Sequence, residues 1–273
     1  MTIDKVSHLS YSALSSYKAC PRRFWLSRVA QAEGAPAWYF AVGTAVHTYI
    51  EAHLKGELDS DHSMGKTVEE LFVAEVERLL LIEPDIHAWN HGGSQEDPVV
   101  GEKALKLAQS CVERAIELLS DIDVWEVELD VSGYLPNCSL PIHGYVDIVG
   151  EHKKHGPIIG DWKTGKSKPK DALQLETYKS LLRRYNNGAG LYNDYTFKGM
   201  WLMLNPDASQ ARPIVFTMGG NTLGRMYGEV ADKIGRDVYP ALVQYNCRFC
   251  EQKLNCRAKS GRTPRTDYYD KEW

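Results

Sequence analysis

Three cysteines crowd into ten residues near the C-terminus, in Cys247-Arg-Phe-Cys250-Glu-Gln-Lys-Leu-Asn-Cys256, and a fourth, Cys20, stands far upstream in Lys-Ala-Cys-Pro-Arg-Arg. Thiols this close in a compact turn cannot all find distant disulfide partners, so the set suits a metal or a cluster. Cys-x₂-Cys-x₅-Cys with one remote cysteine supplies four soft ligands, enough for a [4Fe–4S] cluster or a tetrahedral zinc. Either would tie the two ends of the chain together.

A second constellation lies between them. Strand-like runs at 141–150 and 157–164 flank the turn Glu151-His-Lys-Lys-His-Gly156. A symmetric hairpin centred near Lys154 sets Asp147 opposite Asp161, with Cβ atoms about 5 Å apart. Asp161 and Lys163, two apart on one strand, share a face. Facing carboxylates repel, and a divalent cation between them resolves the repulsion. Mg²⁺ or Mn²⁺ held by Asp147, Asp161 and the carbonyl of Trp162 can polarise a phosphodiester and acidify water. Lys163 can orient that water or neutralise charge developing on the phosphate. His47 and Glu51 are one helical turn apart and can face the same cation. Gln174 and Tyr178 form a similar pair on the next helix, placed to contact the phosphate or to position Lys163.

Two neighbouring patterns compete with this reading. Gly160-Asp-Trp-Lys-Thr-Gly165-Lys166-Ser167 fits the phosphate-loop pattern, which starts its helix at the Lys-Ser end. Lys168-Pro169-Lys170 instead defers the helix to near Asp171, so the match is read as accidental. The lysines from Lys163 to Lys170 form a positive edge beside the carboxylates. Arg22 and Arg23 beside Phe24 and Trp25 offer the basic and aromatic groups of a single-stranded nucleic-acid channel, although core packing is the better account of both aromatics.

The elements that must position these residues follow from periodicity. Ser10 or Ser12 caps a short helix toward Cys20, ended by Pro21. Helices are predicted at 41–55 (with Gly56 as its stop), 67–82 and 99–120, with a loop around 84–98. Strands at 123–131, 141–150 and 157–164 come next, then a helix at 171–185, strands at 197–204 and 212–218, and a helix at 220–237. This order predicts an α/β fold, a mixed central sheet flanked by helices.

The chain has 273 residues, 43% hydrophobic and 25% charged, which suits a single globular domain: a mainly helical part over 1–122, a core over 123–240 and a cysteine-rich cap over 241–273. A net charge of −4 argues against a protein that coats nucleic acid nonspecifically, yet leaves room for a local basic groove. No signal-peptide core and no run approaching ~18 apolar residues is visible, so no membrane span is expected and the chain reads as cytoplasmic. Six cysteines in a reducing compartment read as ligands rather than as a disulfide framework. Cys111 reads as a core residue, and Cys138 stands apart from the ligand set.

Together these segments resemble the RecB-like branch of the PD-(D/E)XK nuclease superfamily, in particular the iron–sulfur exonucleases related to CRISPR adaptation and phage recombination. The carriers are Leu9–Phe24, Gly43-Thr-Ala-Val-His47, His143-Gly-Tyr-Val-Asp147, Gly160-Asp-Trp-Lys-Thr-Gly165, Gln174-Leu-Glu-Thr-Tyr178 and the terminal cysteines. The resemblance implies a restriction-endonuclease-like fold. It makes His47, Asp147 and Asp161 metal ligands, Lys163 the catalytic lysine, and Gln174 and Tyr178 its following helix motif. Cys20, Cys247, Cys250 and Cys256 become ligands of a [4Fe–4S] cluster that clasps the termini. Glu51 has no such backing, and Val146 rather than Pro precedes the first acid. The implied activity is metal-dependent exonucleolytic cleavage of DNA at single-stranded or frayed ends. A recombination or CRISPR-adaptation partner and a homo-oligomer are left open. Two alternatives remain: a weakly cleaving DNA-binding iron–sulfur module that acts with a partner, and a phosphate-loop ATPase with a zinc knuckle.

Overall fold

The computed structural model describes residues 6–58, 67–90, 99–183, 192, 194–243 and 245–260. Part of the expected 84–98 loop, the end of the 171–185 helix and the last stretch of the cap lie outside them. Ser10 caps α1 (Tyr11–Ala19), its hydroxyl accepting the Ala13 N–H at 3.1 Å. Cys20 is extended because Pro21 disfavours a helical residue before it. Pro21 does more than stop α1: it is the first residue of α2 (Pro21–Phe24), which runs on as a π-helical turn over Trp25–Val29. This turn buries Phe24, Trp25 and Leu26, so both aromatics belong to the core and are unavailable for stacking on a ligand.

Three longer helices follow. α3 spans Trp38–Leu54 and ends before Gly56, whose φ of +68° suits a helix stop. α4 (Val68–Ile82) opens on a reciprocal capping box between Thr67 and Glu70, and α5 spans Val99–Leu119. No helix among the described residues is long and apolar enough to cross a membrane.

The sheet has the order β1 (Ile122–Gly133), β2 (Ile142–His152), β3 (Gly156–Lys163), β4 (Lys198–Met203). The first three strands are antiparallel, whereas β3 and β4 run parallel and are joined through α6 (Leu173–Leu182), the crossover that a parallel pair requires. Helices α3, α4 and α5 cover one face, where Ala45, Val46, Ala108 and Ala115 meet Ile148 and Ile158. Helices α1, α6 and α7 (Gly220–Gly235) cover the other through Leu14, Leu181 and Tyr227 against Val131, Val146 and Ile159. Cys111 is fully buried in the first of these cores, as its helical position predicts.

The strand expected at 212–218 does not form, and only an isolated bridge joins Ile214 to Gly199. Pro213 has no N–H to donate, and the Thr217 and Met218 amides are taken by the buried Glu176 carboxylate at 2.7 and 3.1 Å. A side chain has replaced the ladder.

Helix α7 lies against the loop between β1 and β2 at two glycines one turn apart. A Cβ built on Gly224 would stand 1.7 Å from the Pro136 carbonyl oxygen, and one on Gly228 would stand 2.0 Å from that of Asn137. Both obstacles are backbone, so neither can swing aside. Gly224→Ala is expected to cost about 3 kcal/mol or more, at the upper end of overpacking penalties. Urea unfolding would measure it, and an unchanged midpoint would show that α7 slides freely.

Candidate active site

The β2–β3 register runs from His152↔Gly156 to Ile148↔Gly160, the hairpin centre expected near Lys154. Beyond that pair the ladder stops. The Trp162 N–H donates to Asp147 Oδ2 at 2.8 Å, so a carboxylate accepts where a backbone carbonyl would close a regular rung. Further along, β2 pairs with the N-terminal segment instead: Leu9 donates to Pro141 O at 2.9 Å and accepts from the His143 N–H at 2.8 Å. The strands thus fork at Asp147 and Asp161, which face each other across the opening.

Three more groups enter this fork. His47 comes from α3, its Nδ1 3.7 Å from Asp147 Oδ2. Glu128 comes from β1, where Val127↔Ile148 and Leu129↔Val146 put it level with Asp147. Ligand atoms of His47, Glu128 and Asp147 lie within 4.8 Å of one another. Glu128 holds a φ of +49°, a left-handed conformation that is costly for a residue with a side chain and concentrates at functional sites. Sequence reasoning missed Glu128, because one acid in the polar alternation of β1 carries no motif. Glu51, which helical spacing offered as a companion to His47, pairs with Lys55 at 2.5 Å while its charge still acts on His47 and Glu128.

On the Asp161 side, Gln174 is a hub. Its Nε2 donates to Asp161 Oδ1 at 2.6 Å and to the Tyr178 hydroxyl at 2.9 Å, while its Oε1 accepts from Lys163 Nζ at 3.2 Å. The Lys163 ammonium is paired with Asp161 Oδ2 and lies 5.0 Å from the centre of the Trp201 ring, a cation–π contact. Helix α6 provides Gln174 and Tyr178 from successive turns, as their spacing predicts. Asp161 is therefore held by Lys163 and Gln174, beside the trio of His47, Glu128 and Asp147.

The electrostatics favour an added cation. Burial pushes Asp147 well above the ordinary carboxylate range, and the neighbouring Asp161 charge adds to it. Burial likewise raises Asp161, against the pull of Lys163, and raises Glu128, with Glu51 adding to it. Burial lowers the His47 imidazole, against the pull of the Asp161 charge, which favours the neutral, ligating form. Imidazole nitrogen and carboxylate oxygens crowded into one buried fork suit a divalent cation.

The four ligand-type cysteines also come together. Cys20, Cys247, Cys250 and Cys256 line one cavity of about 120 Å³ with Arg23 and Leu26. The cap is pinned around it: Arg23 pairs with Glu251 at 2.5 Å, Gln252 donates to Ala32 O at 3.0 Å, and Lys253 donates to Asn90 Oδ1 at 2.7 Å. Cys138 lies elsewhere, its thiol bonded to Leu140 O at 3.2 Å. The phosphate-loop alternative fails on geometry. No helix starts at Lys166-Ser167, α6 begins at Leu173, and Lys166 pairs at the surface with Asp207.

Fold and site describe a sheet-borne acidic cleft with a lysine poised at its edge, and the chain belongs to the PD-(D/E)XK nuclease superfamily, whose family model matches residues 8–257. No curated protein matches this sequence. Among solved structures it is similar to the "Putative exonuclease" of Eubacterium rectale, with 10% identity and a TM-score of 0.47 over 86% of this chain and 83% of that one. It is also similar to SSO0001, with 16% identity and a TM-score of 0.38 over 68% of this chain and 82% of that one.

Proposed function

We propose that this nuclease is a divalent-metal-dependent DNA exonuclease acting on single-stranded or frayed ends, with a structural [4Fe–4S] cluster in its cap. The observation that carries the reading is the convergence of His47, Glu128 and Asp147 beside the Asp161–Lys163–Gln174 network. His47, Glu128, Asp147, Asp161 and the Trp162 carbonyl are the groups to hold Mg²⁺ or Mn²⁺. When bound, the ion supplies Lewis-acid polarisation of a phosphodiester oxygen and acidifies water.

The chain's own residues do the rest. Lys163 offers its ammonium to negative charge gathering on the phosphate, and Gln174 keeps that ammonium and Asp161 aligned. Tyr178 fixes Gln174 from the next helical turn; burial raises its phenol pKa, so it stays a neutral hydrogen-bonding group. Beside Lys163, a pocket of about 500 Å³ is lined by Lys168, Lys170 and Arg212 with Trp201 and the single acid Asp171, while Lys166 at its edge pairs with Asp207, a surface with an excess of positive charge suited to backbone phosphates. Lys163→Met is expected to lower kcat about 100-fold, the scale for losing one charge-stabilising donor, with metal affinity retained. Single-turnover cleavage across a metal titration would separate the two effects.

The cluster reading rests on the four cysteines, one from the N-terminal segment and three from the C-terminal one, meeting in one place. All four line one cavity. Burial pushes the Cys250 thiol up to about 11, with Glu251 adding to it, so a positively charged centre is needed to keep it as thiolate.

The test is cleavage of end-labelled single-stranded DNA by wild type and Asp161→Ala, with Mn²⁺, Mg²⁺ or EDTA. Metal-dependent shortening from one label, absent from a folded variant, is the expected result. Cleavage that persists in EDTA, or in the variant, would overturn it. A folded wild type that retains its cluster but binds DNA without cutting would favour the binding module.

A further inference from the structure

The metal cleft continues along β2 into an open aromatic edge that the proposed chemistry does not use. Gly144 faces α6, since a Cβ built there would stand 2.8 Å from the Tyr178 ring. Alternation along the strand turns His143, Tyr145 and Asp147 to the opposite face. Tyr145 is 51% exposed, two residues from Asp147, about 7 Å along the strand. Its ring meets that of His143 at 5.0 Å, and His143 in turn meets His8 at 5.3 Å. This row is built rather than incidental. Asp130, paired with Tyr145 in register, holds His143 Nε2 at 2.5 Å, and the Leu9–His143 backbone bond fixes His8 beside it.

Resting on the nuclease reading above, we infer that Tyr145, backed by His143, is a stacking platform for a nucleobase of the single strand whose phosphodiester sits in the metal cleft. The occupant follows from the chemistry. The platform is an exposed aromatic ring backed by an imidazole held in place, which suits a flat aromatic ligand. It is continuous with a site for phosphodiesters, and every base offers a π-face, so stacking there holds a strand without selecting sequence. The aromatics that the sequence offered for this task, Phe24 and Trp25, are buried.

The test uses the full-length protein and a deoxythymidine oligonucleotide carrying 2-aminopurine at one end or the other. Fluorescence is read in EDTA, and cleavage is then read with Mn²⁺. Wild type should quench the probe at one of the two ends, and Tyr145→Ala should lose that quench and raise KM roughly tenfold, the scale of losing one stacked base. Tyr145→Phe, which keeps the ring, should recover most of the affinity. An abasic terminal nucleotide should weaken binding to wild type by a similar factor and cost Tyr145→Ala nothing further. If Tyr145→Ala quenches and cleaves as wild type does, or if the abasic and alanine losses multiply, the platform is wrong and the nuclease reading stands. A wild type that neither binds nor cuts the oligonucleotide overturns both.

Discussion

Replacing Asp147 by asparagine is expected to abolish metal-dependent cleavage while making the metal-free protein more stable at neutral pH. The loss should reach about a thousandfold or more, since several kcal/mol of charge stabilisation depend on the bound ion and each ~1.4 kcal/mol is tenfold in rate. The gain in stability follows from proton linkage. Burial raises the Asp147 pKa in the fold, and the Asp161 charge adds to it, so the unfolded chain releases that proton at lower pH than the folded one. Between the ordinary carboxylate range and the raised value the unfolded state binds fewer protons, and the metal-free fold loses stability as pH rises. Asparagine carries no such penalty. Thermal unfolding in EDTA should therefore find Asp147→Asn melting above wild type at pH 8, with the difference closing near pH 4 and below. Adding Mg²⁺ or Mn²⁺ should stabilise wild type and leave the variant unmoved. A variant that still cuts, or one that melts below wild type at pH 8, would remove Asp147 from the metal site.

The second large effect is expected at Cys20. Its sulfur lies with Cys247, Cys250 and Cys256 around one cavity, and the Leu242 N–H donates to it at 3.4 Å, so this residue joins the start of the chain to the cap. If Cys20 is a ligand of the proposed cluster, Cys20→Ser should strip the iron and lower the melting temperature by about 10 °C, the scale of losing a few kcal/mol in a chain of this size. Cys138→Ser, outside the cavity, should keep its full iron complement. Anaerobic purification with absorbance, iron and zinc analysis would read the result. Zinc at one per chain with no iron would replace the cluster with a tetrahedral site.

Legibility differed between the two halves of the site. Asp147 and Asp161 could be paired from the sequence because a short turn between two strands leaves one register, and the two-residue period then sets which side chains share a face. Lys163, Gln174 and Tyr178 followed from the same local arithmetic on β3 and α6. The strand predicted at 212–218 failed for the converse reason. Its pattern was local, but Glu176, some forty positions upstream, takes the Thr217 and Met218 amides that a ladder would have needed.

The candidate ligand set, the β2–β3 hairpin and the helix spacing behind Lys163 were legible from residue types alone, since all of these depend on chemical identity or on contacts a few residues apart. Long-range packing was needed to show that Glu128 stands with His47 and Asp147 and that the sheet forks at Asp147. Each depends on elements distant in sequence packing against one sheet, where a left-handed backbone at Glu128 and the position of α3 set which carboxylates meet. A periodic pattern identifies a face but cannot say what is packed against it.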